Sequence, residues 1–198
     1  MDEADGNLGK NTSNEGMVWK RAGVAFPNAS LFGKGGVSPD DLRQGFIGNC
    51  WFIAAAAALA ETPGRAEKIF LNLTNEQSPN GIYGVNIFTL GMPHTVIIDD
   101  YLPLNKFGGD KLMTMYAKVS EENALFGPLL EKVVAKRFGN YEHTIAGLPS
   151  KAVRMLTGAP YEEFMHKNLS MEAVWKLLSS ADEHDDFITA GTEGAGDD

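Results

Sequence analysis

The chain has 198 residues, 43% of them apolar and 22% charged, the balance of an ordinary globular protein with material for one real core. With 26 acidic against 17 basic residues and a formal net charge of -9, it has no clustered Lys and Arg of the kind a duplex-binding surface needs, so nucleic acid is excluded as an expected partner. The longest apolar run, Trp51 to Ala60, is too short for a membrane span of about 20 residues.

The N-terminus, Met1 to Gly6, has neither the basic start nor the apolar stretch of a signal peptide. Residues 1–16 are polar and rich in Gly and Asn, and are expected to be a disordered tail. Order is expected from Met17-Val18-Trp19, followed by a long loop from Gly23 to Asp41. Cys50 to Glu61 contains five consecutive alanines, the best helix formers, and is apolar nearly all round, which predicts a buried central helix stopped by Pro63-Gly64. Gly81 to Leu90 and Thr95 to Asp99 read as two strands, with Gly91-Met92-Pro93 as the hairpin turn and Asp99 to Pro103 closing the second strand. Glu121 to Phe138 is a predicted helix with Leu125, Leu129, Val133 and Ala135 inward and Gly139 as its stop. Shorter helices follow at Pro149 to Leu156 and Ser170 to Ser180, and Phe187 to Ala190 reads as the opening strand of a further element. The fold class is α+β, mostly helical.

Cys50 is the single cysteine, so no internal disulfide forms, and a reducing, cytoplasmic setting is expected. It stands where the alanine helix begins. Gly45 and Gly48 before it permit a tight approach into that helix. The unpaired N–H groups and the positive end of the helix dipole favour a thiolate there and suit a developing oxyanion, with Gln44 as an added side-chain donor. A lone cysteine beside apolar residues is also commonly just a small buried hydrophobe.

The run Gln44-Gly45-Phe46-Ile47-Gly48-Asn49-Cys50-Trp51 resembles the nucleophile signature of calpain-like cysteine proteases: Gln-Gly, two residues, Gly, Asp or Asn, Cys, Trp. Trp19-Lys20-Arg21, Val96 to Pro103 with its Asp99-Asp100-x-Leu-Pro ending, and Leu129 to Lys136 are similar to three further blocks of that family, in order and spacing. The resemblance implies the helical half of a papain-like cysteine proteinase fold, with a central buried helix starting at the cysteine and a small antiparallel hairpin. It implies Cys50 as nucleophile, Gln44 in the oxyanion hole and Trp51 in support. The domain expectation is a tail over 1–16, the first half of a calpain-type core over 17–190, and a connection toward a second half over 191–198.

The resemblance also implies a Ca²⁺ site made by the backbone carbonyls of Lys34 and Gly36, the Asp41 carboxylate and a glutamate. The glutamate's place is taken by Ala124, with Glu121 and Glu122 just before it, so calcium binding stays open. The histidine base and the asparagine that orients it belong to the family's second half, and neither motif is present here. His94, His143, His166 and His184 are the alternatives, of which His143, beside Glu142, is the foremost.

The expected activity is therefore peptide-bond hydrolysis of protein substrates through a Cys50 thioester, by an intracellular endopeptidase of which this chain alone is inactive. The expected partner is the missing second half. A non-catalytic binding module and a redox-sensing thiol are the competing readings.

Overall fold

The computed structural model describes residues 16–72, 74–106 and 111–191. Most of the expected tail (1–15) and of the expected connection (192–198) lies outside the described residues. In chain order the elements are β1 (Val18–Arg21), α1 (Ala22–Ala25), α2 (Cys50–Ala60), β2 (Ile82–Thr89), β3 (Met92–Asp99), β4 (Tyr101–Lys106), β5 (Leu112–Thr114), α3 (Phe126–Phe138), α4 (Pro149–Thr157) and α5 (Met171–Glu183). Single 3-10 turns lie at Pro39–Asp41, Glu67–Ile69, Glu142–Thr144 and His166–Asn168. The α+β class read from the sequence is the class observed.

Helix α2 is central because its small residues let neighbours close on it from several sides. Trp51, Phe52, Ile53, Ala55, Ala56, Leu59 and Ala60 are all buried. Burying a side chain such as Phe52 or Leu59 is worth about 2 kcal/mol. Helix α4 packs on α2, and its other neighbour is strand β2. Helix α4 ends where Gly158 takes a left-handed conformation (φ 72°), with its N–H donating to the Arg154 carbonyl at 2.8 Å. Helix α3 lies against β3 and β4 and buries Leu129, Leu130, Val133 and Val134 completely.

Strands β2 and β3 form a hairpin in the register Ile82↔Asp99 to Thr89↔Met92. The turn is two residues, Leu90 and Gly91, with φ of 51° and 81°, the left-handed pair that matches strand twist. Met92 and Pro93 are therefore strand residues, where the sequence reading placed them in the turn. The sequence reading also missed a second sheet, ordered β1-β4-β5. Trp19 pairs with Pro103 and Arg21 with Tyr101, so Tyr101 to Pro103 begins a new strand and does not close the old one. The pairing partners lie far apart in sequence and leave no local signal. Arg21 Nε donates to Asp100 Oδ1 at 2.8 Å, locking the start of this sheet.

Three element boundaries differ from expectation. Helix α3 starts at Phe126, five residues later than expected, because Asn123 adopts φ 60° in a turn whose N–H bonds the Ser120 carbonyl, and Ala124 bridges to Ser30. Helix α5 runs to Glu183, started by the Ser170 hydroxyl accepting the Ala173 N–H at 3.2 Å. Phe187 to Ala190 is irregular and forms no strand; Arg65 stacks its guanidinium 4.7 Å over the Phe187 ring instead.

Candidate active site

Cys50 is the first residue of α2, and it is exposed while the helix behind it is buried. The loop that delivers it is laid along residues 115–118. Phe46 N–H donates to the Met115 carbonyl (3.2 Å), and Lys118 N–H donates to the Arg43 carbonyl (3.0 Å). Between these bonds, Gly45 lies so close to Tyr116 that a Cβ would overlap the Tyr116 carbonyl and Cα. This close backbone approach is the physical reason for glycine at that position. Gln44 Nε2 donates to the Ile47 carbonyl at 2.5 Å, so the amide closes its own loop and keeps a second N–H. Sequence reasoning gave Gln44 the donor's role, and the structure places one of its two N–H bonds inside the loop.

Trp51 fixes the other wall. Its Nε1–H donates to the Thr144 carbonyl at 2.8 Å in a buried setting. Gly147 crosses its ring so closely that a Cβ there would sit 2.5 Å from Trp51 Cδ2. Ala146, held at φ 60°, donates its N–H to the Gly48 carbonyl at 3.0 Å. The segment 144–147 thus clamps both the loop before the cysteine and the tryptophan after it.

Asn49 stands at the helix N-cap position yet makes no side-chain cap bond. It is fully buried, and its Nδ2 donates to Glu131 Oε1 at 2.6 Å. The other carboxylate oxygen, Oε2, accepts the Ala117 N–H at 2.9 Å. Burial pushes the Glu131 carboxyl up to about 7, against the pull of the Ala117 N–H, the Asn49 amide and the Lys118 charge. Sequence reasoning quoted Glu131 only within a helix block. Its link to Asn49 spans 82 positions and has no local signature.

Among the described residues no hydrogen bond links any of the four histidines to Cys50. His143 Nδ1 lies 2.9 Å from the Phe138 carbonyl, and His184 Nδ1 lies 2.6 Å from the Ser180 carbonyl. His94 is exposed on β3 beside Lys136 and Arg137, and His166 is exposed in its 3-10 turn.

The family profile described as calpain family cysteine protease matches residues 4–197. The chain belongs to the calpain family of cysteine proteases. Among curated relatives it is 32% identical to calpain-5 of Caenorhabditis elegans over 151 residues, covering 74% of this chain and 22% of that protein. It is 33% identical to a calpain of Schistosoma mansoni over 159 residues (79% and 20%) and 29% identical to calpain-10 of Mus musculus over 178 residues (86% and 25%). The chain thus spans a quarter or less of the length of these calpains.

The calpain resemblance implies calcium, and the residues can be tested against it. Ala124 does lie against the loop in question: a Cβ at Gly33 would be 3.4 Å from the Ala124 Cβ. Its methyl group offers no oxygen. Asp41 Oδ2 accepts the Ser38 N–H (2.8 Å) and hydroxyl (3.1 Å). Glu121 pairs with Arg43 at 2.9 Å on the surface. Glu67, which the sequence reading passed over, accepts the Val37 N–H at 2.9 Å and closes the turn at Gly36, whose φ is 86°. Among the described residues no three His, Cys, Asp or Glu side chains converge as a metal site. The donor set does not fit a hard cation that takes six to eight oxygens, and no step is derived through calcium.

Proposed function

We propose that this chain is the nucleophile-bearing half of a calpain-type cysteine endopeptidase core with a papain-like fold, and that Cys50 attacks the scissile carbonyl of protein substrates. The observation that carries this reading is an exposed, single cysteine opening a buried helix, delivered by a loop tight enough to require Gly45. At that position the Phe52 and Ile53 N–H groups already donate to the Asn49 carbonyl, which leaves the N–H groups of Cys50 and Trp51 at the open start of the helix beside the thiol. These can stabilise the oxyanion as the Cys50 Sγ–carbonyl bond forms. Gln44 adds its second N–H from the loop, and Trp51 and the 144–147 segment hold the helix start in place.

A thiol protease also needs a base that takes the thiol proton and returns it to the leaving amine. Among the described residues no histidine is bonded into this site, so the base is assigned to a second half that packs here. Phe46 is 71% exposed beside the cysteine loop, and Ile145 and Leu148 are exposed on the clamp segment. Exposed apolar residues on the segments that frame a site suit a surface that another body covers. Helix α5 also exposes Met171 and Trp175 and buries none of its residues.

The experiment is peptide hydrolysis with the 198-residue chain and with the longest product of the same gene. The reading expects no turnover by the chain alone and turnover by the longer product that Cys50→Ala abolishes. Turnover that survives Cys50→Ala would overturn it.

A further inference from the structure

We infer that Glu131 is a positioning residue for Cys50, one carboxylate that pins both the residue before the nucleophile and the segment that supports the nucleophile loop. The inference rests on the reading of Cys50 as the nucleophile.

The geometry has three parts. Asn49 immediately precedes Cys50, and its side-chain amide donates to Glu131 Oε1. Ala117 sits within the 115–118 segment on which Arg43, Gly45 and Phe46 are laid, and its N–H runs to Glu131 Oε2. Glu131 itself projects from α3, which is packed on β3 and β4, so its anchor is rigid. The loop carrying Gln44 and the start of the helix carrying Cys50 are therefore referenced to one point.

A carboxylate is an expensive choice for a packed interior. Burying it costs several kcal/mol, and an apolar side chain of similar size would avoid that. Two donors face this position, however, and glutamate is the side chain of that length with two acceptor oxygens; glutamine has one acceptor and one donor. The gap beside Glu131, Ala117 and Tyr141 is too small to seat a water molecule.

The titratable groups around Glu131 are Lys118 from the supporting segment, Tyr116, which stacks on Tyr141 at 4.6 Å, and Tyr141 itself, whose hydroxyl burial and Glu131 both hold well above its ordinary value. On the α2 side the facing group is the neutral Asn49 amide. With its own carboxyl pushed up to about 7, Glu131 changes charge near neutrality. Ionised, both oxygens accept. Protonated by solvent, the carboxyl donates its O–H to Asn49 Oδ1, a buried atom with no hydrogen-bond partner, once the amide turns over. The bond behind Cys50 then reverses direction and loses its charge.

The test is the rate of iodoacetamide uptake by the folded 198-residue chain from pH 5.5 to 9, where the single cysteine makes the signal specific. The wild-type curve should carry, besides the thiol's own ionisation, an inflection near pH 7 with a rate change of at least about threefold. Glu131→Gln should remove that inflection, and Asn49→Asp should move it upward by about one pH unit or more, because a second carboxylate then faces the first. A wild-type curve described by the thiol alone, or the same inflection in Glu131→Gln, overturns the inference. If Glu131→Gln does not fold, an inflection unmoved in Asn49→Asp overturns it equally. A folded wild type that takes up no iodoacetamide at any pH overturns the reading of Cys50 itself.

Discussion

Replacing Glu131 by glutamine should flatten the pH dependence of stability between pH 4.5 and 8. The group titrates at an ordinary value of 4.5 when exposed and at about 7 in the folded protein, where it is fully buried. A raised carboxyl pKa means that the folded state holds the proton more tightly than the unfolded state. Its contribution is fully present below pH 4.5 and is lost as pH rises through 7. The gap between these two values corresponds to about 3 kcal/mol, a large share of the ~5–15 kcal/mol that holds a domain folded. Asp99 works in a different window. Burial raises its carboxyl, but the Lys132 bond at 2.6 Å and the Tyr101 N–H outweigh that and leave it below its ordinary value. Its contribution is present above pH 4 and lost only on further acidification, so it does not obscure the Glu131 window. The assay is urea unfolding of wild type and Glu131→Gln at closely spaced pH values. The unfolding free energy of the wild type relative to the variant should fall by about 3 kcal/mol from pH 4.5 to 8. A difference that stays constant across this range would refute the assignment of a buried, late-ionising carboxyl.

Further outcomes follow from the same packing. Gly45→Ala should lower the unfolding free energy by about 2 kcal/mol or more, since its Cβ overlaps the Tyr116 backbone and that backbone is held by the loop's own hydrogen bonds; an unchanged thermal midpoint would contradict the close approach. Trp51→Phe removes the bond from Nε1 to the Thr144 carbonyl and leaves that carbonyl without its donor, for a loss of about 1–3 kcal/mol in urea unfolding; no loss would mean that the 144–147 segment is not clamped. Ala124→Glu supplies the oxygen ligands that the loop at Gly33 lacks, and calorimetric calcium titration should give at least about tenfold tighter binding than wild type; equal titrations would show that position 124 does not face the loop carbonyls.

Local signals made the helices and the hairpin legible. Five alanines after Cys50 specify α2, and the Gly45 and Gly48 pattern before it specifies a tight entry. The β1-β4-β5 sheet was not legible, because Trp19 finds Pro103 through tertiary packing and neither strand alternates strongly. The start of α3 was misplaced because Glu121 to Leu125 has helix-forming residues, and the Ser30–Ala124 bridge overrides their propensity. At the site, the roles expected of Cys50, Gln44 and Trp51 came from the resemblance of the run around them to the calpain signature. Asn49 and Glu131 were not legible: a buried donor–acceptor pair 82 positions apart is visible only once α3 is laid against the loop. Likewise Glu67 drew no reading from the sequence, because its bond to the Val37 N–H spans 30 positions.

The central claim is that Cys50 is the working nucleophile of a core completed by a second half. The measurement that tests it most directly is the intact mass of the endogenous protein after treatment with a peptidyl epoxide, followed by location of the adduct. A polypeptide well above 21.4 kDa carrying one adduct on Cys50 is the predicted result. A polypeptide of about 21.4 kDa with Cys50 unmodified would contradict the account.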